Sequence, residues 1–166
     1  IRGSVSLNVA VCEHHPEVIE ACVERGWELF SHGIYNTRYT YNMTEAQERA
    51  MMEDVIATIK RASGQDVAGW LSPSLTNTPQ TMDLLAEYGI KYTCDLFHDD
   101  QPQPVNVSSG KLISVPYSLE MNDIPVLSMA GSGIAVLDTV TTVDAAVSAM
   151  ADYALDWTSS SPDGLR

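Results

Sequence analysis

Positive charge is scarce in this 166-residue chain, where Lys and Arg number 9 against 22 Asp and Glu for a formal net charge of −13. Lys60-Arg61 is the single adjacent basic pair, so there is no stripe of cations to track a phosphate backbone, and nucleic acid is excluded as a partner. Long apolar runs are also missing. Ile134–Leu137 and the interrupted Val143–Met150 fall far short of the roughly 20 residues that a membrane helix needs, so no membrane is expected. Cysteine is sparse and odd in number, with Cys12, Cys22 and Cys94 never in a CxxC pair, which points away from a disulfide framework or a zinc ribbon. A reducing, cytoplasmic setting is the expectation. GxGxxG, Walker, GxSxG and HExxH motifs are absent as well, leaving nucleotide binding and serine hydrolase chemistry without support.

The 45% of hydrophobic residues suffices for one core, and the length is that of one domain over 1–166. The residue pattern alternates strand and helix. Val5–Val11 alternates apolar and polar residues as a strand does. Pro16 opens a helix with Val18, Ile19, Cys22 and Val23 on its apolar side and Gly26 at its end, and Trp27–Ser31 follows as a short buried strand. Thr44-Glu45-Ala46-Gln47 is a capping box for a helix whose face is Met52, Val55, Ile56 and Ile59, ending at Gly64. Val67–Leu71 is a predicted strand, Pro79–Tyr88 a helix capped by Gly89, and Ile90–Leu96 another strand. The stretch from Asp99 to Gly110, with Pro102 and Pro104, is expected to be a loop, and Leu112–Tyr117 a strand. A last helix is predicted over Val143–Leu155.

An internal echo places the candidate chemistry. Glu24–His32 parallels Glu87–Asp95, each a helix end, a glycine, a strand and then a polar residue six positions beyond the glycine. His32 and Asp95 are therefore expected to share the rim at the carboxyl ends of parallel strands, where α/β folds place their sites. The competing reading is that two ordinary βα units look alike because helices often end in glycine. Imidazole suits a divalent metal or proton transfer near neutral pH, although a histidine bonded to a loop carbonyl is the bland alternative for His32. Asn36, four residues on, adds an amide oxygen as a weaker ligand. Asp95, His98, Asp99 and Asp100 crowd ionisable groups into one strand end and loop, as acid–base chemistry or a solvated acidic loop would. Trp70 is a sugar-stacking platform or core, and Glu120, Asn122 and Asp123 are candidates for a further polar contribution to the rim. The rims otherwise look poor in aromatics.

Cys12–Ile19, Gly26–Glu28 through Ser31-His32-Gly33, Thr44–Arg49, Gly69–Pro73, Asp95 with Asp99–Pro102, and Val115–Asp123 together resemble the NodB-type polysaccharide deacetylases, in the branch with allantoinase-like and cyclic-imide-hydrolase-like members. The resemblance runs from about Val5 to Asp123. It implies a distorted (β/α) barrel, incomplete here, and hydrolysis of non-peptide C–N bonds in a carbohydrate or a small ureide or imide. His32 matches the first histidine of that family's His-x-x-x-His metal motif, while Asn36 stands in place of the second. The family's aspartate pair would precede Ile1, its arginine-proline motif is replaced by Leu71-Ser72-Pro73, and its last histidine motif is not found. The resemblance thus implies either zinc or a metal-free site like that of allantoinase-like members lacking the second histidine. The site set is His32, Asp95, Asp99 and Asp100 for catalysis, His32 and Asn36 for a metal, and Trp70, Glu120, Asn122 and Asp123 for substrate. A non-catalytic remnant that binds a carbohydrate or small amide is the alternative. An incomplete barrel would expose strand edges and favour association with a second copy.

Overall fold

A computed structural model of the chain describes residues 2–117. The helix expected over Val143–Leu155 and the candidates Glu120, Asn122 and Asp123 lie outside the described residues. Strand β1 (Ser4–Leu7) leads into helix α1 (Ala10–His14) and helix α2 (Pro16–Glu24), which precede β2 (Glu28–Ser31) and the long α3 (Glu45–Ser63). Then come β3 (Gly69–Trp70), a 3-10 turn (Pro73–Leu75), α4 (Thr81–Glu87), β4 (Tyr92–Thr93), β5 (Gln103–Val105) and β6 (Leu112–Ser114). The sheet order is β1-β2-β3-β4-β6-β5, parallel throughout except for β5, which runs antiparallel to β6. This is an α/β fold, and among the described residues the sheet is open, with β1 and β5 at its edges.

Local chemistry explains most of the boundaries. Pro16 cannot donate an N–H and pushes the residue before it out of the helical region, so His15 sits at φ −141° and separates α1 from α2. The capping box forms as expected: Gln47 N–H donates to Thr44 Oγ1 at 3.4 Å and Thr44 N–H to Gln47 Oε1 at 2.9 Å. Gly26 and Gly89 take the left-handed φ of 64° and 77° expected just beyond α2 and α4, so the two halves of the echo do share one geometry.

The core lies between the helices and one face of the sheet. Ile19 and Cys22 of α2, Met51, Met52, Val55 and Ile59 of α3, and Leu84 and Leu85 of α4 close over Leu7, Leu29, Trp70 and Leu112. At about 25 cal/mol per Å² such burial is the main stabilising contribution. On the other face, Tyr92 lies over β3 so closely that a Cβ on Gly69 would collide with its ring, and the phenol donates to Glu28 Oε1 at 3.0 Å.

Several expected elements are corrected. The strand predicted to Val11 stops at Leu7, because Val11 N–H donates to Asn8 C=O and Cys12 N–H to Val9 C=O, curling the chain into α1. Val9 is buried and Val11 packs against the core from that turn, which imitates strand alternation. In α2 the inward residues are Ile19 and Cys22, whereas Val18 and Val23 are exposed. The strands predicted over Val67–Leu71 and Ile90–Leu96 shrink to two residues each, and the helix predicted from Pro79 begins at Thr81. The predicted loop 99–110 contains β5, where Pro104 is tolerated because the strand is an edge.

Candidate active site at the carboxyl rim of the sheet

Five parallel strands end on one rim, and the two halves of the echo meet there. His32 follows β2, its main chain anchored by an N–H···O bond to Leu7 of 2.8 Å. Its ring is held on both sides: Nδ1 lies 2.8 Å from the carbonyl oxygen of Leu71, just past β3, and Nε2 lies 2.9 Å from Asn36 Oδ1. Since a carbonyl only accepts, Nδ1 carries a proton, and the neutral ring keeps its lone pair on Nε2. Asn36 suits either state of Nε2, accepting through its oxygen when Nε2 is protonated and donating through its NH2 when the amide is turned over.

Asp95 follows β4 and is only 4% exposed. One residue holds both of its oxygens: Ser72 N–H donates to Oδ1 at 2.7 Å and Ser72 Oγ to Oδ2 at 2.7 Å. Burial pushes the carboxyl up to about 6, opposed by the two bonds from Ser72 and by the nearby His32. The sequence reading missed Ser72 as a partner. Its hydroxyl also accepts from Trp70 Nε1 at 3.1 Å.

Trp70 is fully buried in the core cluster, so it presents no open face and its role as a stacking platform is withdrawn. Exposed aromatics lie elsewhere on the rim. Tyr35, Tyr39 and Tyr41 occupy the segment after β2, with the last two rings stacked at 6.0 Å, and exposed Phe97 after β4 packs against Tyr117 at 6.4 Å. Tyrosines in a polar loop have no helical or strand period, so the sequence pattern does not mark them. Asp99 and Asp100 lie on the exposed loop between β4 and β5. Their mutual side-chain hydrogen bond holds Asp99 below the usual carboxylate range and raises Asp100, and Gln103 Nε2 donates to Asp99 Oδ2 at 3.1 Å.

The rim loops are fastened to one another. Thr40 N–H donates to Thr76 Oγ1 at 3.0 Å, Thr40 Oγ1 donates to the Thr76 carbonyl, and Thr76 Oγ1 donates to the Pro73 carbonyl at 2.8 Å. Between them, Ser74 and Leu75 hold φ of 52° and 56°, a region that side chains other than glycine adopt at a cost of about 1–3 kcal/mol. A second buried carboxylate, Glu48 of α3, accepts from Thr78 Oγ1 at 2.6 Å and from Thr81 Oγ1. Among the described residues no three His, Cys, Asp or Glu side chains gather to hold a metal, and the amide of Asn36 faces the ring nitrogen that a metal would use.

A parallel α/β sheet with a fixed histidine on its carboxyl rim has that residue where α/β folds place their functional sites. Residues 7–93 match the family model for polysaccharide deacetylases, and the chain belongs to that family. It is 30% identical to a peptidoglycan deacetylase of Helicobacter pylori over 112 residues, covering 67% of this chain and 38% of that protein. Among solved structures, it is similar to PuuE allantoinase (33% identity, TM-score 0.66, covering 75% of this chain and 41% of that one). It is also similar to a Mycobacterium smegmatis protein assigned as a polysaccharide deacetylase (26% identity, TM-score 0.70, covering 75% and 43%). The chain thus spans less than half the length of each of these relatives. No described helix is long and apolar enough to cross a membrane.

Proposed function

We propose that this chain carries the histidine side of an amidohydrolase site that cleaves a non-peptide carbon–nitrogen bond. The observation that carries the proposal is the fixed His32 ring, with Nδ1 held on a main-chain carbonyl and Nε2 turned to the side chain of Asn36. When water displaces Asn36 from Nε2, the neutral ring takes a proton from that water as the water oxygen bonds to the substrate carbonyl carbon. It returns the proton to the nitrogen as the C–N bond breaks, giving an acid and an amine. Asn36, released from the ring, has an NH2 to donate to the oxyanion. Asp99 and Asp100 are the rim carboxylates available to direct the water. Likeness to an allantoinase supports a small ureide or imide, and likeness to deacetylases supports an N-acetylated sugar; the replaced motifs tip the balance to the smaller substrate.

The test is hydrolysis of allantoin, a cyclic imide and chitooligosaccharides by the protein carrying this chain, beside His32→Ala. Loss of His32 is expected to lower kcat/KM by about 10²–10⁴, and a variant within twofold of wild type overturns the role. A second reading, binding without turnover, is favoured by Asn36 Oδ1 occupying Nε2 at 2.9 Å. Saturable binding of any of these compounds without turnover would establish it. A calorimetric zinc titration of the same two proteins completes the comparison: tight binding that vanishes in His32→Ala would place further ligands outside the described residues.

A further inference from the structure

We infer that Asp95 is a positioning residue that orients His32 through the single peptide group joining Leu71 to Ser72. The inference rests on the reading of His32 as the reactive imidazole. That peptide group is gripped at both ends: its carbonyl oxygen meets His32 Nδ1 at 2.8 Å and its N–H meets Asp95 Oδ1 at 2.7 Å. A peptide unit is planar, with C=O and N–H pointing in opposite directions, so fixing the N–H fixes where the carbonyl points. The carboxylate does more than aim it. A charge on the N–H side polarises the amide and makes its oxygen a stronger acceptor, as in any chain of hydrogen bonds in a low-dielectric interior.

The carboxylate itself cannot swing away, because Ser72 Oγ holds Oδ2 at 2.7 Å while Trp70 Nε1 donates to that same Oγ at 3.1 Å. Asp95, Ser72 and Trp70 are all buried, so neither Asp95 oxygen faces solvent as a water-activating base would. What reaches the rim is the effect on the ring: Nδ1–H held in place, and the lone pair on Nε2. A histidine oriented by a carboxylate usually touches it directly, whereas here one main-chain amide lies between them.

The experiment is a long-range 1H–15N correlation spectrum of the imidazoles at alkaline pH, where the ring is neutral, on wild type, Asp95→Ala, Asp95→Asn and Ser72→Ala. Wild-type His32 is expected to be protonated at Nδ1, and Asp95→Ala to move the proton largely to Nε2. Asp95→Asn, which keeps an acceptor for the Ser72 N–H without the charge, should fall between. Ser72→Ala retains the peptide N–H and frees only Oδ2, so it should stay closer to the wild-type tautomer than Asp95→Ala. Turnover should fall about 10- to 100-fold in Asp95→Ala, as for other groups that orient a functional histidine. Native near-ultraviolet circular dichroism shows that a variant is folded. An unchanged His32 tautomer in folded Asp95→Ala overturns the inference; if that variant does not fold, an unchanged tautomer and turnover in Asp95→Asn do so. Full activity in His32→Ala would instead sink the functional reading, while the tautomer result would stand on its own.

Discussion

Asp95 keeps its carboxylate 4% exposed, and burial pushes its titration up to about 6. The unfolded chain titrates the same group near 4, so between these values the folded state binds the proton more tightly. Stability from this group is therefore fully present below about pH 4 and declines as pH rises through 6. The displacement corresponds to roughly 3 kcal/mol. Urea midpoints at pH 4, 5, 6 and 7 should show wild type losing ground to Asp95→Asn by up to that amount, and parallel profiles would contradict the assignment. At this scale the sequence was informative about position and silent about linkage. The echo set His32 and Asp95 on one rim, because glycine-ended helices leading into strands have a readable signature. Ser72 stayed hidden because its decisive contact is a main-chain N–H, which every residue but proline possesses. Trp70 was legible as apolar, but only packing shows that its indole is sealed in.

Between elements, Glu48 fastens α3 to the entry of α4. Its carboxylate is fully buried and accepts from Thr78 and Thr81, while Thr78 N–H donates to Thr81 Oγ1 at 2.8 Å. Glu48→Ala leaves buried hydroxyls without their acceptor and should cost about 1–3 kcal/mol. Urea unfolding measures that loss, and faster amide exchange at Thr78 localises it to the α4 entry. Glu48→Gln, which keeps one acceptor, should cost less; equal losses would point to packing instead. The sequence reads Glu48 as an ordinary acid near a helix start, since nothing in spacing announces partners 30 and 33 positions away. Where the code is local, the elements were legible: the capping box of α3, Pro16, Gly26 and Gly89 all mark true boundaries. Where it depends on pairing, they were not, as in the two-residue β3 and β4, whose flanks at Ala68, Leu71, Lys91 and Cys94 make main-chain bonds to neighbouring segments without lengthening the strands. Pro104 hid β5 because proline argues against strand everywhere except at an edge.

Over the whole molecule, a net charge of −13 means that like charges repel in the compact state. Added sodium chloride should raise the melting temperature at pH 7, with most of the gain by about 0.1 M, where the screening length falls to about 10 Å. A flat or falling salt profile would show that local ion pairs such as Arg49 with Glu45 and Glu87 outweigh the general repulsion. Among the described residues the parallel strands put their carboxyl ends on the same side, and the rim there is assembled from the loops that follow them. The paired threonines then acquire a mechanical meaning. With Thr40 fastened to Thr76 by three bonds, the segments after β2 and β3 form one jaw and not two lips. Displacing the tyrosine-bearing segment would therefore displace the segment after β3, which begins at Leu71, the carbonyl partner of His32 Nδ1.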